Sequence, residues 1–72
     1  MAKPLVVVYP KLRSVMALYG HATEEIAEVL DLSFDSTRRR LRGIVEFELS
    51  EIIKLLEFYK CSFEDLFGEI AA

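Results

Sequence analysis

The sequence predicts an all-α domain of five short helices behind an extended N-terminal arm, and three observations carry that expectation. Apolar residues return at helical spacing in stretch after stretch beyond Pro10. Gly20, Gly43 and well-placed Ser and Thr residues mark where helices stop and start. The joining segments are short, about two to six residues, as in compact helical domains. Seventy-two residues, 53% of them hydrophobic, are enough for one core and too few for a second domain. The expected division is an arm over residues 1–10 and a single domain over residues 11–72.

In the arm, Leu5-Val6-Val7-Val8-Tyr9 is a β-branched run too short and too apolar for a surface helix, so an extended segment is expected. It either lies over the core or pairs with its copy in a second chain, Val6, Val7 and Val8 then forming a dimer contact. Pro10 suits the first turn of a helix. Leu12, Val15, Met16 and Tyr19 follow as one apolar stripe that ends at Gly20. His21 and Ala22 connect to a second helix, Thr23 to Leu30, with Ile26, Ala27 and Leu30 inward and Glu24, Glu25 and Glu28 outward. Asp31 and Leu32 break the pattern before Ser33, an N-cap for a third helix that runs to Arg42 and stops at Gly43. Two short helices separated by about three residues make a helix-turn-helix.

After a loop from Ile44 to Glu48, with Phe47 turned inward, Leu49, Ile52, Ile53, Leu56 and Tyr59 form the stripe of a fourth helix. Leu55 lies beside that stripe, and Lys54, Glu57 and Lys60 stand outside. Ser62 and Asp65 read as a capping box for a last helix bearing Phe63, Leu66, Phe67 and Ile70.

Charge singles out the third helix. The net charge is −3, yet four of the five arginines fall between Arg38 and Arg42, leaving five basic against twelve acidic groups elsewhere. On a helix, Phe34, Asp35, Arg38, Arg39 and Arg42 share about 140° of arc, with Thr37 opposite and Leu41 at the boundary. A basic ridge on an acidic body can hold phosphate, with weak long-range attraction and steep loss in salt. Arg40 points off this ridge, toward an acidic partner such as Glu28. Lys11 and Arg13, near the start of the first helix, are further candidates for phosphate.

From Lys11 to Phe67 the chain resembles the lambda-repressor-like (Cro/Xre-type) helix-turn-helix family, especially short regulators of phage or prophage origin. The matching pieces come in order: Tyr19-Gly20; Glu25-Ile26-Ala27 with Leu30; Leu32-Ser33; Leu41 with Gly43; Phe47, Leu49 and Ser50-Glu51-Ile52; Asp65-Leu66-Phe67. Thr23 stands where many members carry glutamine, and Asp31 replaces the usual turn glycine, tolerable because Asp accepts positive φ. Ile44-Val45-Glu46 is apolar and acidic where relatives are often basic.

The resemblance implies a sequence-specific regulator, a repressor or Cro-like homodimer on double-stranded DNA, with the third helix in the major groove. It implies base contacts from Arg38 and Arg39, a thymine methyl for Phe34 and a cytosine amino group for Asp35, which is equally suited to pair with Arg38 or Arg39. Thr23, Ser33 and Arg42, with Lys11 and Arg13, would hold phosphates.

The competing expectation is a protein-interaction module of the same fold, an antirepressor or co-regulator with little DNA binding, using the valine segment or the acidic faces. No nucleophile–base pair, paired His and carboxylate or phosphate-cradling glycine loop suggests an enzyme, so no catalytic residue, cofactor or small-molecule substrate is expected. His21 has no ligand partner for a metal, and Cys61 is the only cysteine, which suits a reducing cytoplasm. No apolar run approaches the roughly 18 residues of a membrane span.

Overall fold

The computed structural model describes residues 8–68, and among them the chain is helical without a strand: α1 Pro10–Leu18, α2 Thr23–Leu30, α3 Phe34–Leu41, α4 Leu49–Tyr59 and α5 Phe63–Phe67. Against α2 pack both α3 and α4, while α5 joins α1 to α4. Every helix contributes to one core: Leu12 and Met16 from α1, Ile26 and Leu30 from α2, Leu41 from α3, Leu55 and Tyr59 from α4, Leu66 and Phe67 from α5. Each fully buried leucine or isoleucine stabilises the fold by roughly 1.5–3 kcal/mol relative to exposure, so this cluster fixes how the helices are arranged.

One device ends three of the helices. After α1, the Gly20 N–H bonds the Ala17 carbonyl and the His21 N–H reaches back to Met16; after α2, Asp31 and Leu32 do the same to Glu28 and Ala27; after α3, Gly43 and Ile44 do so to Arg40 and Arg39. These paired bonds satisfy helix-end carbonyls and require a left-handed residue, which Gly20 (φ 69°), Asp31 (φ 57°) and Gly43 (φ 78°) supply. Gly43 has a second constraint. A Cβ there would lie 3.1 Å from a methyl of Val8, which caps the turn. Helix starts follow the expected chemistry: the Ser33 hydroxyl accepts from Ser36 N–H, and Ser62 and Asp65 form a reciprocal box, holding the Asp65 carboxyl below its usual range chiefly through the Ser62 backbone N–H.

Several expectations need correction. The segment Leu5 to Val7 lies outside the described residues, as does Ile70. Tyr9 is not extended: it takes φ 59° and drops its ring edge-on to Phe47 and Phe67, at centroid distances of 5.3 and 5.5 Å. Pro10 is the first residue of α1, in the first helical turn as its fixed φ led one to expect. Tyr19 is mostly exposed rather than inward, and Phe63 is half exposed. The largest difference is the rotation of α4. Its buried residues are Glu51, Leu55 and Tyr59, whereas Leu49 is 72% and Ile53 46% exposed, with Ile52 and Leu56 only partly covered. Apolar side chains occupy most of this helix's circumference, so periodicity alone could not choose the buried side. A buried carboxylate does choose it, and hydrophobic patterning is blind to that.

The turn between α1 and α2 is docked on α4. The His21 Nδ1 and the Tyr59 hydroxyl share a 2.8 Å hydrogen bond, and the imidazole stacks on Tyr19 at 5.8 Å. Burial, with Glu25 nearby, pushes the Tyr59 hydroxyl up to about 12. The half-buried Cys61 thiol donates to the Tyr59 carbonyl.

Candidate nucleic-acid interface

Three residues separate α2 from α3, and α3 is held by one face. Thr37 is fully buried and its hydroxyl donates to the Ser33 carbonyl at 2.9 Å, while Leu41 seals the other end in the core. Between them Arg40 turns inward. Its Nε donates to Glu51 Oε1 at 2.8 Å and its Nη1 to the Ser36 carbonyl at 3.1 Å. The same Glu51 oxygen accepts the Glu48 N–H at 2.9 Å, so one carboxylate opens α4 and anchors α3. The two side chains are only 13% and 8% exposed, which makes this a desolvated pair whose members depend on each other. Arg40 thus leaves the ridge as expected, but its partner is Glu51 and not Glu28. The signal was present as an acidic residue three positions into α4, where a helix start recruits a carboxylate.

The opposite face of α3 presents Phe34, Asp35, Arg38, Arg39 and Arg42, all exposed. Asp35 links two of the arginines: Arg38 Nη2 lies 3.3 Å from Oδ1 and Arg39 Nε 3.0 Å from Oδ2. These pairs face water, with guanidinium side chains 45% and 57% exposed, and are each worth at most about 1 kcal/mol. A guanidinium carries five N–H donors; Arg38 commits one to a hydrogen bond with Asp35 and Arg39 meets it as an ion pair, so most of their donating capacity faces outward. The carboxylate orients both arginines along the helix rather than neutralising the ridge. Among the described residues, no group of three or more His, Cys, Asp or Glu side chains is placed to hold a metal.

The remaining candidates are not gathered as tightly. Ser33 spends its acceptor on Ser36, leaving its O–H to donate. Thr23 is half-buried as the first residue of α2. There the Glu25 carboxylate accepts the Ala22 N–H, and this bond foremost draws its pKa below the usual range. Arg42 is the exposed C-cap of α3. Lys11 is drawn elsewhere: its Nζ donates to the Glu64 carbonyl on α5, and it shares a surface hollow with Asp65. Arg13 is half-buried on α1. The structure therefore brings Phe34, Asp35, Arg38, Arg39 and Arg42 onto one ridge and leaves Lys11 committed to α5.

Comparison with known proteins agrees with this architecture. The family model described as the BetR domain, a helix-turn-helix-like family, matches residues 6–72. No curated protein matches the sequence. Among solved structures, the crystal structure of a transcriptional regulator from Listeria innocua is similar in fold, with a TM-score of 0.73 at 20% identity. The match covers 83% of this chain and 56% of that one, so the chain spans little more than half the length of that regulator.

Proposed function

We propose, from the premise that this chain belongs to the BetR domain family, that it is a sequence-specific DNA-binding regulator that lays α3 in the major groove. The observation that carries this reading is the two-sided α3: Thr37, Arg40 and Leu41 are held inward while Arg38, Arg39 and Arg42 face solvent. A helix clamped along one side and cationic along the other has the form that groove reading needs. Arg38 and Arg39 read guanine O6 and N7, each good bidentate pair being worth about 1–3 kcal/mol of discrimination. Phe34 touches a thymine methyl. Arg42, Ser33 and Thr23 hold phosphates and set register, with Lys11 and Arg13 as outlying contributors. The regulator is of the phage repressor or Cro type and acts in the cytoplasm as a homodimer on a pseudo-palindromic site, its half-sites about 34 Å apart.

Gel-shift titration against duplexes selected from random sequence tests this. The expected result is a specific complex that weakens steeply with salt, is weaker on a single half-site, and loses roughly a hundredfold in affinity in Arg38→Ala/Arg39→Ala at unchanged helicity. Selection that enriches no sequence, or binding untouched by the double substitution, would overturn the reading.

A further inference from the structure

A second surface is built on the other flank of α2. Between α2 and α4 runs an open groove lined by His21, Glu25, Glu28, Val29, Lys54, Glu57 and Phe58, a hollow of about 670 Å³. No residue of α3 lines it. Its floor is apolar and aromatic: Val29 is half-buried, Phe58 is 46% exposed, and the His21 ring lies 5.6 Å from Phe58 while hydrogen-bonded to Tyr59. Its rim carries three carboxylates against one ammonium group. Glu28, Glu57 and Lys54 are exposed, and Glu25 is fixed by its bond to the Ala22 N–H.

We infer that this groove docks a basic amphipathic helix of a partner protein while α3 is engaged elsewhere. The floor asks for an apolar or aromatic anchor, since an exposed phenylalanine beside a half-buried valine is surface that an anchor can take from water. The rim chooses the sign of what surrounds the anchor. Glu28 on α2 and Glu57 on α4 stand on opposite walls, so lysines or arginines on both flanks of an inserted helix would each meet a carboxylate. Nucleic acid is repelled by the same rim. The separation from the arginine ridge matters most: the groove is formed from α2, α4 and the turn before α2, so its occupancy does not compete with that of α3. The inference stands on groove geometry and charge, and it adds a protein contact to the proposed regulator.

The test is fluorescence anisotropy with the full chain and a labelled helical peptide carrying leucines at i, i+3, i+4 and i+7 and lysines and arginines elsewhere. A control peptide has glutamates in place of the basic residues. The basic peptide is expected to bind, the acidic one not. Glu28→Lys/Glu57→Lys should weaken binding by about tenfold or more, whereas Glu46→Lys/Glu64→Lys, with the same net charge but away from the groove, should change it by less than about threefold. Phe58→Ala should weaken it at unchanged salt dependence, with circular dichroism verifying the fold of every variant. Equal losses in both double variants would mean that net charge alone draws the peptide, and would overturn the inference. So would binding lost in Arg38→Ala/Arg39→Ala, or a chain that sediments as a self-associated species whose contact is broken by Glu28→Lys/Glu57→Lys. The DNA titration is read separately, so failure of one reading leaves the other measurable.

Discussion

At the scale of the residue, Asp35 has the most informative position on α3. It holds Arg38 and Arg39 in line, yet it places a negative charge on the surface proposed to meet a polyanion. Asp35→Asn removes that repulsion, loosens both arginines and weakens any preference for a cytosine amino group. The expected outcome, read by parallel titrations, is stronger binding to random duplex by roughly threefold to tenfold and a smaller ratio of specific to non-specific affinity. A drop in both affinities would instead mean that the arginines need their carboxylate in order to work. Tyr59 offers a different readout. Its hydroxyl is raised to about 12 in the fold against 10.0 for an ordinary tyrosine, so the neutral form is favoured when folded. That contribution is complete below pH 10 and is lost as the pH rises through 12. Thermal melts should therefore show stability declining across this alkaline window, and Tyr59→Phe should flatten the decline; an equally steep decline in the variant would assign it to other groups.

At the scale of the element, α3 and α4 are joined by the Arg40–Glu51 pair. Glu51→Gln leaves a nearly buried guanidinium without its counter-charge and weakens the acceptor for Glu48 N–H, so a loss of about 3 kcal/mol is expected in chemical denaturation. Replacing both partners by apolar residues, Arg40→Met with Glu51→Leu, should recover most of it, because no buried charge is then stranded. A single substitution costing under about 0.5 kcal/mol would show the pair to be incidental. This pair also marks where the sequence stopped being legible. The limits of α2, the Ser33 cap, the positive φ of Asp31 and the box at Ser62 all follow from local rules, and each is found as expected. The rotation of α4 does not follow, because it depends on a long-range ion pair. The exposed ridge of α3 was readable for the opposite reason: its arginines, its buried threonine and its two terminal signals lie within a few residues of one another.

At the scale of the whole molecule, the described residues separate their surface chemistry by face. The ridge of α3 carries the basic groups, the α2–α4 groove the acidic rim and aromatic floor, and the far side of α4 a partly bare apolar stripe of Leu49, Ile52, Ile53 and Leu56. That segregation explains how a chain of net charge −3 presents a cationic helix: the acidic excess lies on other surfaces. It also tells how much of the surface was readable. The ridge and the fold class were, and the groove was not, because His21 and Phe58 are distant in sequence and meet only when the first turn settles on the fourth helix. Holding α3 chiefly through its inward Thr37, Arg40 and Leu41 has an evolutionary consequence. Positions 34, 35, 38, 39 and 42 lie outside that anchor, so under the proposed reading descendants of this protein could drift to new target sequences by changing the outward side chains while inheriting the anchor intact.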